Sequence, residues 1–552
     1  MEEIHREHEG DPSFWAPGTL TLEDLQRGRD KIILHPVPTS DPNDPLNWAK
    51  WRKALNYSIV CFYVLMTFVE LDIGFVAWED YQTELGFTVD LLNSGAAVNY
   101  AGLAIGCIFF IPLVHKYGRR PLYLFSTAVQ LASVVWFAKT YTKGDLIGSN
   151  LISGLGGAIS ETIAQITIAD IFFVHQHAQM NGWYLIATSA GAFLGPVASG
   201  YIVISQGWRW MFWWCVIFFS INLIVVIFFF EESKYVGVLI GHSRNQPANN
   251  AEPTSGETAT TEHETICRRA DDTAKQADPS QSLERTRSET FIDPSIPKKS
   301  YRERLALLTP TNGSVFHDFY QPVELLFTFP AISFCAITYG SLLAWFAVMT
   351  SIQATYLFSP PYNFTAVGVG LMNLAPFVGT IPGTLVGGWL NDKSIMWLSK
   401  RNNGIYEPEM RLWLALPSAL LTPAGILMFG LGLNAGAAWP LIAVGYGLWG
   451  FGFGAATDVA LSYTMDCYQD LIGNALVGIV FSRNVFSVIV LFALTPWVNG
   501  MGLQNMHILI AVICLVILLL PVPLLVWGKN FRISSARRYK SMALRQPTHR
   551  DL

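Results

Sequence analysis

Apolar and polar residues fall along this chain in long blocks rather than in short periods. Twelve blocks have the length and apolarity of a helix that crosses a bilayer, for which about 20 residues suffice. They lie near 54–77, 93–114, 121–138, 146–172, 181–204 and 210–230, and again near 327–350, 366–390, 411–433, 439–464, 473–497 and 506–527. The expected fold class is therefore an all-α polytopic membrane protein, with twelve transmembrane helices in two sets of six. Between the sets runs a polar segment rich in Ser, Thr, Glu, Asp and Arg, which cannot bury enough apolar surface to fold alone. The expected organisation is an N-terminal tail (1–53), a first bundle (54–230), a largely disordered linker (231–326), a second bundle (327–527) and a C-terminal tail (528–552).

Composition agrees. Only 14% of residues are charged and 51% are hydrophobic, against about 25% charged in soluble domains. The net charge of -5 says little, because charge is segregated along the chain. Seven cysteines show neither pairing nor metal-ligand spacing and read as packing residues. The start, MEEIHREHEG, is charged and acidic and does not read as a cleavable signal peptide.

Lys and Arg set the expected orientation. Lys50, Arg52, Lys53, Lys116, Arg119, Arg120, Lys393, Lys400, Arg401 and the tail from Lys529 share one side, while Glu79, Asp80, Glu84 and Asp90 occupy the first loop on the other. Both termini are expected to be cytoplasmic. Asn363-Phe-Thr365 is a possible glycosylation sequon in an outside loop, close to the membrane.

Charges inside a bilayer are expensive and face a cavity or a partner. Those expected there are Glu70, Asp72, Glu161, Asp458 and Arg483; acids outnumber the base, which suits a proton or a cation better than an anion. Gly154, Gly157, Glu161 and Gln165 follow helical spacing along one stripe, which puts carboxylate and amide on one face. Glu161 is open to two readings, a proton carrier or a structural acid bonded to a neighbouring helix. Glu70 and Asp72 stand about 200° apart around their helix, so both cannot face one narrow pathway; Glu70, on the stripe with Tyr63 and Met66, is expected to face the cavity. Arg483 is expected to pair with an acid of the tenth helix, at the depth of Asp458. Tyr339, Tyr356, Tyr446 and Trp449 would line a cavity or pack helices. Asp170 ends the fourth helix as Asp466 ends the tenth, and Glu161 and Asp458 precede them by similar intervals. That echo fits two repeats with a site between them.

Two short stretches complete the pattern. His115-Lys-Tyr-Gly118-Arg119-Arg120-Pro121 is a basic turn between the second and third helices, placed to pair with a helix end such as Asp170. Gly191, Gly195, Pro196 and Gly200 form a small-residue seam in the fifth helix, with a proline that removes one backbone donor.

Gly118-Arg119-Arg120-Pro121 resembles the helix 2–3 signature of the major facilitator superfamily, and Gly191-x-x-x-Gly195-Pro196-x-x-x-Gly200 resembles the helix 5 signature of its twelve-helix drug:proton antiporters. Asp44-Pro-Leu-Asn-Trp48, Ala169-Asp-Ile-Phe-Phe-Val-His175, Gly207-Trp-Arg-Trp210, Phe230-Glu-Glu-Ser233 and Gly528-Lys-Asn-Phe-Arg532 are similar to segments of the fungal branch. The resemblance implies alternating access driven by a proton gradient, with the helix 5 seam associated with export. In three places the sequence departs from the superfamily's pattern: His115 stands where an acid is usual, Ile111 where a glycine is, and Asn150 where the fourth helix usually carries an arginine linked to proton transfer.

The function expected is export of small amphipathic or cationic compounds, such as drugs, toxins or secondary metabolites, in exchange for protons. The alternatives are proton-coupled uptake of an organic cation such as a polyamine, and a membrane nutrient sensor that transports nothing. No nucleotide loop, metal cluster or nucleophile–base spacing suggests an enzyme, and His175 and His177 alone do not make a metal site. The expected partners are substrate, protons and the lipid bilayer, with no cofactor, no metal and no nucleic acid. A monomer in the plasma membrane is expected, the vacuolar membrane being the alternative.

Overall fold

The computed structural model describes residues 16–21, 41–235, 296–310 and 316–543. The expectation of a disordered linker falls mostly on residues outside these, as does Cys267.

The first six helices are α1 (Lys50–Ile73), α2 (Val89–Tyr117), α3 (Arg120–Ala138), α4 (Lys143–Ile171), α5 (Val174–Ser189 with Gly195–Gln206) and α6 (Trp208–Phe229). The second six are α7 (Pro330–Tyr356), α8 (Ala366–Met372, Leu374–Leu385 and Asn391–Arg401), α9 (Leu416–Asn434), α10 (Trp439–Cys467) and the run Ile472–Leu518, which holds α11 and α12. Gly502, at φ +77°, breaks that run into 472–501 and 503–518. Only glycine adopts such a backbone cheaply. Among the described residues ten helices are apolar and long enough to cross a membrane; the glycine-rich α10 is not among them, and α11 and α12 count as one. The expected twelve are compatible with that count.

Sequence signals start and bend these helices. Thr142 and Asp145 form a capping box at the start of α4. α5 is broken by a wide turn at Ala190–Leu194, just before Pro196, and α8 by another at Val386–Leu390, just after Pro382. Both lie beside a proline, the usual site of such defects.

The two sets repeat one packing scheme, with α2 against α4 in the first and α8 against α10 in the second. Small residues permit both contacts: a Cβ on Gly102 would fall 2.7 Å from the Leu151 carbonyl oxygen, and one on Gly454 2.8 Å from that of Thr380. The halves also share apolar cores. Ala97 and Phe193 sit in the core of the second half, and Val480 and Ala354 in cores of the first.

One face carries the turn at 117–120 and the loop at 402–407, and it is here called the basic face. The motif residues at this face pair with one another. Arg119 holds Asp170 through two hydrogen bonds, Nε at 2.8 Å and Nη2 at 3.2 Å. The Glu232 carboxylate accepts from the amides of Arg119 at 2.9 Å and Arg120 at 3.1 Å, capping α3. Glu231 takes Arg52 and Arg304. In the second half Arg411 links Asp392 to Asp466, and Arg532 meets Glu409 at 2.8 and 2.6 Å. The segment 16–21 lies on the second half: Leu20–Thr21 pairs antiparallel with Ile405–Tyr406, and Arg532 donates to Thr19 Oγ1 at 3.1 Å.

Candidate functional site

Helical spacing puts Glu161 on the face of α4 turned to the other half, and there it is almost wholly buried. Arg483 of α11 reaches it through Nη2, and Asn484 donates to its Oε2 at 2.8 Å. Arg483 Nη1 donates to the Tyr339 hydroxyl at 2.7 Å, and its guanidinium lies 4.9 Å from the Tyr339 ring centre. One carboxylate of the first half is thus gripped by two side chains of the second. Gln165, a turn along, is half-buried.

The expected partner for Arg483 is corrected here. Asp458 does not meet it, because α10 turns that side chain toward α8. Its Oδ2 lies 3.0 Å from the place a Cβ on Gly387 would occupy, and 3.2 Å from one on Gly388. The charges it feels are Arg411 and Asp392.

The two acids of α1 part company, as their angular separation requires. Glu70 points into the first half. It accepts from Ser133 Oγ at 2.7 Å, and the Gln130 amide, oriented to satisfy both its ends, donates to Oε1 at 3.2 Å. Glu70 does line a cavity, with Asn99, Tyr100, Asn150 and Trp78, but that cavity lies within one half. Its room of about 60 Å³ would hold a few waters. Asp72 is turned elsewhere, its charge reaching Tyr446 of the second half as well as Tyr100 of α2. It is 5% exposed, and among the described residues nothing donates a hydrogen bond to it. Sequence reasoning passed over it, although the 200° separation was the signal that one of the two acids must face this way.

Around this centre Tyr446 and Trp449 are fully buried, Tyr446 sharing a hydrogen bond of 3.1 Å with Thr350 and Trp449 stacking on Phe346. They serve as core of the second half. Tyr356 is half-buried.

The helix 5 seam serves two neighbours. Gly191 and Gly195 lie against α1, where a Cβ would fall 2.5 Å from Leu65 O and 3.2 Å from Val69 Cα. Pro196 and Gly200 lie against α8: a Cβ on Gly200 would be 2.7 Å from Ala366 O, and one on Gly370 2.5 Å from Pro196 O. Further contacts join the halves away from the basic face, where Asn93 donates to Thr495 at 3.0 Å and accepts from Ser351. Asn363, at φ +48°, lines an open cleft of about 480 Å³ beside Glu79, Asp80 and Phe364. His175 and His177 fall in α5, but their side chains lie outside the described set.

Known proteins with the same pattern now identify the family. A family model described as Major Facilitator Superfamily matches residues 58–490. An uncharacterized MFS-type transporter of Schizosaccharomyces pombe is 31% identical, covering 92% of this chain and 89% of its own. Protein HOL1 of Saccharomyces cerevisiae is 30% identical, covering 95% and 94%. A POT family transporter solved with a thioalcohol-conjugated peptide superposes with a TM-score of 0.60 at 11% identity, over 89% of this chain and 99% of its own; at that identity the likeness concerns fold alone. The two six-helix halves, the basic turn at 118–121 and the match across most of the chain lead to one conclusion: this protein belongs to the Major Facilitator Superfamily and is a membrane transporter of small molecules, not an enzyme.

Proposed function

We propose that this transporter exchanges protons for small cationic or amphipathic organic compounds, exporting them by alternating access between its two halves. The observation that carries the reading is the grip of Arg483 and Asn484 on Glu161 across the halves. Removing one partner of a buried ion pair costs about 3–5 kcal/mol, enough to move a two-state equilibrium by on the order of a hundredfold or more. A proton on Glu161 neutralises the carboxylate and loosens that joint, so proton binding and separation of the halves are one event. Asp72, buried between the halves with no base beside it among the described residues, is the counter-charge a cationic substrate would find. Export is supported by the seam of Pro196 and Gly200 on α8, which brings the two helices into close contact and leaves little room for leak. In this reading the basic face and both termini are cytoplasmic, and the plasma membrane is the site of action.

Asn150 favours a second reading. Its amide donates to the Leu146 carbonyl at 2.8 Å, so the wall of the Glu70 cavity has no fixed cation at that position. Proton-coupled uptake of an organic cation would suit an acid left unopposed. Overexpression in a deletion strain separates the two: resistance to the compound supports export, whereas growth on it or sensitivity to it supports uptake. The coupling claim is tested in proteoliposomes. Glu161→Gln should abolish gradient-driven transport while substrate exchange without a pH gradient survives; full gradient-driven activity in the variant would sink the proposal.

A further inference from the structure

Basic residues at the basic face fall into two kinds. Six are ion-paired within the protein: Arg52 and Arg304 on Glu231, Arg119 on Asp170, Arg411 on Asp392 and Asp466, Lys529 on Glu407 and Arg532 on Glu409. Others, such as Lys50, Arg537, Arg538 and Lys540, are exposed, and among these the end of α8 is set apart by two exposed indoles stacked beside its cations. Asn391–Arg401 buries Asn391, Ile395 and Ser399 against the protein and turns Lys393, Trp397, Lys400 and Arg401 outward, in line with Trp389. The spacing does this, because residues three and four apart share a helix face.

The outward stripe has an unusual internal order. Lys393 Nζ lies 3.7 Å from the centre of the Trp389 ring, and Arg401 Cζ lies 4.7 Å from that of Trp397. Both indoles remain more than half exposed. Among the described residues no carboxylate comes within ion-pair distance of Lys393, Lys400 or Arg401, since the acid on this stretch, Asp392, is held by Arg411 at 3.2 Å. Three cations therefore stand un-neutralised beside two rings, where a spanning helix runs out toward the basic face. Indoles settle at headgroup depth, and stacking fixes two of the cations beside them. Phosphate oxygens of lipid lie at that depth.

We infer that this stripe is a docking surface for anionic phospholipid headgroups in the leaflet at the basic face. The charge of the lipid supplies the acid partner that Lys393, Lys400 and Arg401 lack among the described residues. Each cation near such a surface is worth about fivefold in affinity, so the three together should favour an anionic over a zwitterionic lipid by on the order of a hundredfold.

The test uses the full-length protein in nanodiscs of equal phosphatidylcholine and phosphatidylserine, with native mass spectrometry counting the lipids retained. Wild type should keep phosphatidylserine in preference to phosphatidylcholine. The triple variant Lys393→Gln, Lys400→Gln, Arg401→Gln should lose that preference, while Arg537→Gln with Arg538→Gln, which removes charge from another exposed stretch, should keep it. Equal unfolding midpoints in detergent establish that the variants fold. Should the triple variant not fold, Lys400→Gln alone alters one exposed side chain and should cost about fivefold. Retention of the full preference by the triple variant overturns the inference. So does an equal loss in the Arg537 and Arg538 variant, which would make the effect one of general surface charge.

Discussion

Asp72 and Glu70 differ by two positions, yet they meet opposite surroundings. Glu70 is satisfied by Ser133 and Gln130, whereas Asp72 waits between the halves near Tyr100 and Tyr446. Asp72→Asn should therefore weaken binding of a cationic substrate by about thirtyfold or more, on the scale of a lost buried charge pair, and leave the unfolding midpoint unchanged. Direct binding to purified protein reads this, and an unaltered affinity would remove Asp72 from the pathway. Helical geometry made the parting of the two acids legible; which one faced the partner half was not, because that depends on how α1 is rotated against α5. Arg483 teaches the same lesson. Its need for an acid was clear from the sequence, but Glu161 lies more than three hundred positions away, and no periodicity links residues across halves. At the basic face, burial pushes the Lys234 ammonium down to about 8, with Arg119 adding to the effect. Its Nζ donates to the carbonyls of Lys116 at 2.9 Å and Thr309 at 2.6 Å. Between about 8 and its ordinary 10.5 the unfolded chain holds more protons than the folded one, so stability rises with pH across that window. The midpoint of wild type should climb there relative to Lys234→Gln. A constant difference would contradict the assignment.

Among the helices, existence and order were readable from the sequence, whereas shape was not. Runs of apolar residues located the spans, and Thr142 with Asp145 marked a start. The wide turns at Ala190–Leu194 and Val386–Leu390 are another matter. A proline nearby announces a defect, but how the backbone absorbs it depends on the helix packed alongside. Gly502 likewise escaped notice, since it separates α11 from α12 by one residue of left-handed backbone with no polar loop. For α5 the packing yields a prediction. Gly200→Val adds bulk where even a Cβ would sit 2.7 Å from Ala366 O and 3.0 Å from Val367 Cα, so α5 and α8 must move apart. Proteoliposomes carrying the variant should dissipate an imposed pH gradient faster than wild type without substrate. Unchanged proton leak would show that the seam does not seal the path.

At the scale of the whole molecule, the repeat was visible as an echo of acids, Glu161 and Asp170 against Asp458 and Asp466. In the structure the echo is partial. Asp170 and Asp466 both anchor arginines at the basic face, but Glu161 bonds across the halves while Asp458 stays within its own. Two copies of one plan thus make different contacts. The contact between segment 16–21 and the second half bears on how the molecule is made. Arg532, with which Thr19 and the Pro17 carbonyl bond, and Ile405–Tyr406, which Leu20–Thr21 joins, leave the ribosome long after residue 21. Segment 16–21 can therefore be seated only after Arg532, in the helix Pro521–Ala543, has been made. Its docking is thus a late step of biogenesis, and an unseated segment 16–21 would mark a chain whose second half is unfinished.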